Sequence, residues 1–333
     1  MALAALRLVA HYAKYRLRRL HPFEVQAALL NACNLKCVYC RCPEIKTALL
    51  TTAQWCAIVE GLAALGTLRI KFQGGEPTIR RDFNVIAATA RQAGIITAVI
   101  TNGIRIAADP RLLDHLDEVV VSLDAVSPAL HDRHRGAGSH SAALHTAQLA
   151  GERQRHVVIN MVVTRATLPE LEAMVALCEA HGWWLNAQAV MFGKEYQDSG
   201  ASALRLDEDD ERRMYRQLAE WKRHRRPVIF SSRAYERTAA WPDYAVLAIR
   251  GPHPSSCPMG RDYVHIEPNG DVHPCSLHAA SYAPLNIVRD GLETALAHAR
   301  VHDCADCALA YLNERKELFA LRPAAVIDLL RRA

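Results

Sequence analysis

Six short runs rich in β-forming residues alternate with helical stretches: FEVQAALL (23–30), TLRIKFQG (67–74), ITAVITNG (96–103), DEVVVSLD (117–124), HVVINMVVT (156–164) and LNAQAVMF (185–192). Between them lie Ala/Leu-rich or amphipathic segments such as TTAQWCAIVEGLAALG (51–66) and PELEAMVALCEAHG (169–182), and the strongly charged DEDDERRMYRQLAEWKRHRR (207–226). Strands joined by helical crossovers line up in parallel, so the pattern predicts a six-stranded parallel sheet. The runs are apolar almost throughout, the expectation for strands covered on both faces. Crossovers of one hand wind such a sheet either into an open doubly wound layer or into a barrel-like one. Both place chemistry at the carboxyl ends of the strands. After about residue 230 Pro and Gly recur, and VHIEPNGDVHPC reads as two short strands around a Pro-Asn-Gly turn. A second, smaller domain is expected over 240–333, after a core over 23–235. The last segment reads as a helix in two pieces, broken at Pro323.

The 333 residues, 50% hydrophobic and 23% charged, have the composition of a soluble chain able to bury a sizeable core. Net charge is +5, and Arg7, Lys14, Arg16, Arg18 and Arg19, with no acid in residues 1–20, account for all of it. The remainder is near neutral, which argues against a nucleic-acid partner. Leu3, Leu6, Ala10, Ala13, Leu17 and Leu20 recur at helical spacing between those basic residues, so residues 1–22 read as a basic amphipathic helix. Such a helix either docks on its own domain or makes peripheral contact with an anionic membrane surface. The start has no charged region ahead of its apolar run and no cleavage site, so no signal peptide is expected. No other stretch approaches a membrane span. Ten cysteines without an export signal point to a reducing compartment, the cytoplasm, where thiols serve as metal ligands or core. The basic start extends that expectation to the inner face of the membrane.

Seven cysteines fall into two clusters. In NACNLKCVYCRCPE, Cys33, Cys37 and Cys40 have the spacing C-x3-C-x2-C in a loop just after the first strand run. Three thiolates so placed converge on one face of an iron–sulfur cube, leaving its fourth iron open. A zinc site would recruit a histidine, and the loop contains none, although His11 and His21 precede it. Cys42 falls outside the spacing and reads as a structural neighbour, or a hydrogen donor. Cys56 and Cys178 read as background.

About 35 residues on, GGEP closes the second strand run. C-x3-C-x2-C with Tyr39 before its last cysteine, followed by GGEP, resembles the radical S-adenosylmethionine (radical SAM) superfamily, over about residues 23 to 310. The resemblance implies a partial (β/α)6 TIM-like barrel with a small C-terminal α+β iron–sulfur domain. It makes Cys33, Cys37 and Cys40 the ligands of a [4Fe–4S] cluster whose open iron chelates the amino and carboxylate groups of SAM, with Tyr39 beside the bound SAM. Gly74, Gly75, Glu76 and Pro77 match the motif that meets the SAM amino group: glycines permit close approach, and a carboxylate accepts from an ammonium. Thr101, Asn102 and Ser122 match strand-end positions that contact SAM, and Asp124, Arg135 and Asn160 are further carry-overs.

Cys257, Cys275, Cys304 and Cys307 form the second cluster, with Gly270 five residues before Cys275. One C-x2-C pair and four thiols suit a tetrahedral site, and spacing leaves structural zinc and a second iron–sulfur cluster both open. The C-x12-G-x4-C and C-x2-C order resembles the shortened SPASM domain called twitch, which implies one auxiliary [4Fe–4S] cluster. Four protein ligands leave no open iron, so its role would be electron transfer or support. His273 and His278 could tune it through hydrogen bonds to sulfur, or could be exposed turn residues.

The resemblance implies one-electron cleavage of SAM to methionine and a 5′-deoxyadenosyl radical that abstracts hydrogen from a substrate at the barrel mouth. It implies an electron donor such as flavodoxin or ferredoxin, and a small-molecule, lipid or peptide substrate. Barely twenty residues precede the first strand run, which disfavours a self-sufficient peptide maturase. The rival reading is a non-catalytic zinc- or iron–sulfur-binding module.

Overall fold

The computed structural model describes residues 22–190, 203–251, 257–277, 282–320 and 322. The basic helix expected over 1–22 lies outside them but for residue 22, as do His278 and the helical piece after Pro323.

All six runs are strands: β1 (Glu24–Leu30), β2 (Arg69–Gly74), β3 (Ile96–Thr101), β4 (Glu118–Ser122), β5 (His156–Val163) and β6 (Trp184–Ala189). They pair in parallel in sequence order, from Val25 opposite Ile70 to Val163 opposite Ala189. An order that never reverses has no switch point, so the sheet is barrel-like and not doubly wound.

Between the strands lie α1 (Thr52–Leu65), α2 (Phe83–Gln92), α3 (Ile104–Ala108), α4 (Pro128–Arg135), α5 (Ser139–Glu152) and α6 (Leu171–His181). Thr51 and Gln54 close a capping box at the start of α1, and Gly66 ends it with φ +92°, in the left-handed region that glycine adopts without strain. Trp55, Ile58, Val59 and Leu62 of α1 pack with Val25, Ala27, Leu29, Ile70 and Phe72 in one buried core. The opposite face differs from the apolar expectation. There Tyr263 donates to Gln26, Gln26 to Gln73, and Gln73 meets His265, while Asn186 donates to Asn160 at 2.7 Å. The face turned away from α1 thus carries a cross-strand polar ladder, which suits a lumen that must hold a polar ligand.

Next come α7 (Glu208–Arg223), capped by Asp207, and α8 (Ser232–Ala239). The segment after residue 240 adds three of its strands to the same sheet. After β7 (Ala248–Arg250), β8 (Tyr263–Ile266) pairs in parallel with the free edge of β1, Glu24 opposite Tyr263. The expected Pro-Asn-Gly turn, with Gly270 at φ +92°, leads into antiparallel β9 (Asp271–His273), and β10 (Leu285–Asn286) follows at the edge. Then come α9 (Ile287–Asp290), α10 (Leu292–Ala299), β11 (Cys304–Cys307) and α11 (Ala310–Phe319). β11 pairs with β7 in a separate two-stranded sheet. Arg315 of α11 donates to both Glu24 oxygens, at 2.7 and 2.8 Å, fixing the last described helix to the start of the first strand.

Candidate active site

The first three cysteines sit on the loop that leaves the carboxyl end of β1, half-buried and close enough for their charges to be felt by one another. The end of β2 is pressed against the root of this loop. Gly75 and Glu76 donate backbone N–H groups to the carbonyls of Leu30 (2.7 Å) and Ala32 (2.9 Å). A Cβ on Gly74 would lie 2.1 Å from the Leu30 carbonyl oxygen, and one on Gly75 2.1 Å from that of Ala32. The close approach that needs glycine is therefore to the neighbouring strand's own backbone.

Glu76 is buried and caps the short turn that begins at Pro77. Its Oε1 accepts from the Thr78 hydroxyl, from Thr78 N–H (3.2 Å) and from the Thr101 hydroxyl (2.8 Å), and its Oε2 accepts from Asn102 N–H (2.7 Å). Burial pushes this carboxyl upward, and the hydrogen bonds oppose the shift. Asn102 Nδ2 in turn donates to Asn34 Oδ1 at 2.8 Å and to Cys33 Sγ at 3.8 Å. GGEP, the TNG strand end and the first cysteine thus form one connected network.

Tyr39 is buried and donates its hydroxyl to Asp124 Oδ2 at 2.5 Å. Asp124, fully buried at the end of β4, also accepts from Arg135 Nε (2.7 Å) and Nη2 (2.9 Å) and from Val162 N–H (3.0 Å). Burial works against the Asp124 charge; Arg135 overcomes it and holds the carboxyl below its usual range. Arg135 also lies 5.6 Å from the Tyr39 ring centroid. Asp124 and Arg135 are thus engaged with each other and with Tyr39, and act on the cysteine loop from beneath. His131, whose ring nitrogen accepts from Asp124 N–H at 3.0 Å, was missed by sequence reasoning. Ser122 is buried opposite Asn160 in the β4–β5 register, and Asn160 is bound to Asn186, away from this network. Cys42 is buried, with its thiol donating to Asn31 Oδ1 at 3.7 Å.

In the second set all four thiols are buried. Cys304 feels Cys257, Cys307 and Cys275, and its hydrogen bond to Cys257 lowers the Cys257 thiol while raising its own. Lys316 of α11 donates to Asp306 and, at 3.9 Å, to Cys307 Sγ. This cation beside the thiols is one helical lysine among 40 basic residues, with nothing in the spacing to mark it. His273 is buried, not an exposed turn residue, and its Nδ1 has no hydrogen-bond partner among the described residues.

Among the described residues, no group of three or more His, Cys, Asp or Glu is arranged to hold a single metal ion. A cube differs from an ion in that each thiolate holds its own iron corner, so its ligands stand further apart. Two all-thiol sets, one of three and one of four, match that chemistry in donor type and number. Burial pushes the Cys37 and Cys307 thiols up to about 11, so loading either set releases protons.

Residues 28–178 match the family model of the Radical SAM superfamily. The PqqA peptide cyclase of Xanthomonas axonopodis pv. citri (strain 306) is 30% identical over 281 residues, 78% of this chain and 68% of that protein. The PqqA peptide cyclase of Gluconobacter oxydans (strain 621H) is 29% identical over 287 residues, 79% of this chain and 72% of that protein. Among solved structures, SuiB of Streptococcus suis bound to S-adenosylmethionine aligns with a TM-score of 0.66 at 20% identity, over 86% of this chain and 69% of that one. SuiB bound to its precursor peptide SuiA aligns at 0.65 and 19% identity, over 94% and 77%. The structural likeness speaks to the fold, and it is the partial barrel that the sequence resemblance implied. The chain belongs to the radical SAM superfamily. It is an enzyme that uses a [4Fe–4S] cluster and SAM, and its SPASM-type relatives carry auxiliary clusters; the reading as a non-catalytic zinc- or iron–sulfur-binding module is not favoured. No described helix is long and apolar enough to cross a membrane.

Proposed function

We propose that the chain modifies a peptide by radical chemistry, with Cys33, Cys37 and Cys40 holding the SAM-binding cluster and Cys257, Cys275, Cys304 and Cys307 the auxiliary one. The observation that carries the peptide assignment is the similarity, over nearly four-fifths of the chain, to two PqqA peptide cyclases. It favours a peptide over the small-molecule and lipid alternatives. Bound together, the first cluster and SAM supply a 5′-deoxyadenosyl radical by one-electron cleavage of the sulfonium.

The protein's own residues bind, orient and enclose. Glu76 holds the ends of β2 and β3 together beside the thiols, and Asn102 offers an N–H to Cys33. Tyr39, Asp124 and Arg135 brace the loop that would hold the first cluster, and the polar ladder lines the lumen. Gly74, Gly75, Pro77, Thr101 and Ser122 complete the strand-end floor, and Asn160 lines the lumen further in. Residues 23–235 are the radical SAM core and 240–333 the twitch-like segment. A cytoplasmic flavodoxin or ferredoxin delivers the electron, and residues 1–20 offer a contact with the inner membrane face.

The test is anaerobic reconstitution, followed by incubation with SAM, dithionite and short peptides encoded beside the gene. The expected result is 5′-deoxyadenosine together with a peptide whose mass has changed. SAM cleavage without any modified peptide would overturn the peptide assignment.

A further inference from the structure

The last described helix, α11, brings a cation to the second thiol set. Lys316 donates its ammonium to Asp306 and, at 3.9 Å, to Cys307 Sγ, and its side chain is only 12% exposed. Burial pulls this ammonium down; the charges of Cys307, Cys257 and Asp306 overcome it and hold the group above its ordinary range. Cys257 feels the same cation.

The surroundings of these thiols are apolar: Met259, Tyr263, Leu309, Leu312 and Phe319 belong to one buried cluster with Cys257, Cys275 and Cys307. In such a medium a nearby charge is weakly screened. The adjoining ion pairs do not cancel it. Asp306 accepts from Lys316 and, at 3.2 Å, from Arg237, and Glu317 meets Arg233 at 2.9 Å and Arg237 at 3.9 Å. Among the described residues three cations thus share two carboxylates in this network, and Lys316 is the one that reaches a sulfur. The first set differs. There Arg135, the cation felt by Cys37, is held by both oxygens of Asp124, which neutralise it.

A cluster held by four thiolates is an anion, and reduction adds one more negative charge to it. A hydrogen bond to a ligand sulfur and a cation close by both favour the reduced form, and both are levers on the potential of an iron–sulfur centre. We propose that Lys316 fits the second set for redox work, raising the reduction potential of the cluster held there through its contact with Cys307. The proposal rests on the reading of Cys257, Cys275, Cys304 and Cys307 as ligands of an auxiliary cluster. It assigns that cluster electron transfer, where four-thiolate ligation alone also allows support. The step concerned is the gain of one electron from a reductant, with no bond made or broken.

The test uses the full chain carrying Cys33→Ala, Cys37→Ala and Cys40→Ala, so that iron reports on the second set alone. Anaerobic reconstitution is expected to give about 4 irons per chain. Titration with dithionite, followed by electron paramagnetic resonance, then reads the midpoint potential. Lys316→Met is expected to lower it, raising the oxidised-to-reduced ratio at a fixed potential about tenfold, which is about 59 mV for one electron. Lys316→Arg keeps the charge and is expected to restore most of the shift. Asp306→Asn removes the opposing charge and keeps an acceptor for the Cys307 N–H (2.9 Å), so its midpoint is expected to rise. A lysine that merely props the fold would move none of these potentials. Should Lys316→Met fail to load, Asp306→Asn decides alone. A midpoint unmoved in Lys316→Met, or unmoved or lowered in Asp306→Asn, overturns the proposal and leaves the auxiliary cluster in place. A triple cysteine variant that takes up no iron overturns the auxiliary-cluster reading, and the proposal with it.

Discussion

The backbone N–H of Asn102 donates to Glu76 Oε2 at 2.7 Å across 26 positions of sequence, binding the end of β3 to the GGEP turn. Removing the carboxylate orphans this donor, the Thr101 hydroxyl and both donors of Thr78 at once. Each buried orphan costs about 1–3 kcal/mol. Glu76→Ala is therefore expected to lower stability by roughly 3 kcal/mol or more and to weaken SAM binding about tenfold. Thermal melts and equilibrium binding on reconstituted protein check both, and unchanged SAM affinity would count against the site.

Arg135 and Asp124 form a buried pair, and losing one partner strands the other's charge. Arg135→Leu should cost about 3–5 kcal/mol. Because Asp124 also anchors Tyr39, iron at the first site should fall with it. Adding Asp124→Asn should restore part of the stability, since the stranded charge is gone. Urea unfolding of the two single variants and the double variant measures the coupling, and simple additivity would refute it.

Cys40 and Cys42 are two residues apart and differ in environment. Cys40→Ala should remove about half of the ~8 irons per chain, while Cys42→Ala should keep them all and lose the weak bond to Asn31. Iron analysis after anaerobic reconstitution decides this, and an iron loss in Cys42→Ala would reassign that thiol.

His131 is fully buried, and desolvation, with Arg135 nearby, lowers its pKa to about 4 from an ordinary 6.5. A histidine depressed in the folded state takes up its proton on unfolding. Its contribution is therefore full above pH 6.5 and is lost as pH falls toward 4, by up to about 3 kcal/mol. Urea midpoints between pH 7 and 5 should decline in the wild type and less steeply in His131→Asn; equal slopes would refute this role.

Local chemistry made much of this legible. The six strands, the Thr51 capping box and the Pro-Asn-Gly turn are written in neighbouring residues, and each stands where the sequence put it. Three features were not. The pairing of β8 with β1 brings together Gln26 and Tyr263, 237 positions apart, a choice made by the whole sheet. Glu211 sits in the acidic run DEDDER, which looks like an exposed helix face, and only the packing of α7 turns one of those acids inward. The two glycines of GGEP read as making room for a ligand, whereas the closest atoms are the carbonyls of β1, which no spacing rule reveals.

The place of β8 sets an order of events during synthesis. A ribosome has made β1 and its cysteine loop long before Tyr263–Ile266 emerges, and until then one full edge of β1 presents bare N–H and C=O groups. The strand that roots the first thiol set is thus sealed by a segment made more than two hundred residues later. The nascent protein must keep that edge from pairing with a stranger meanwhile. A fragment ending near residue 240 would keep the first three cysteines yet carry the exposed edge permanently, so self-association, not loss of the barrel, is what truncation would bring.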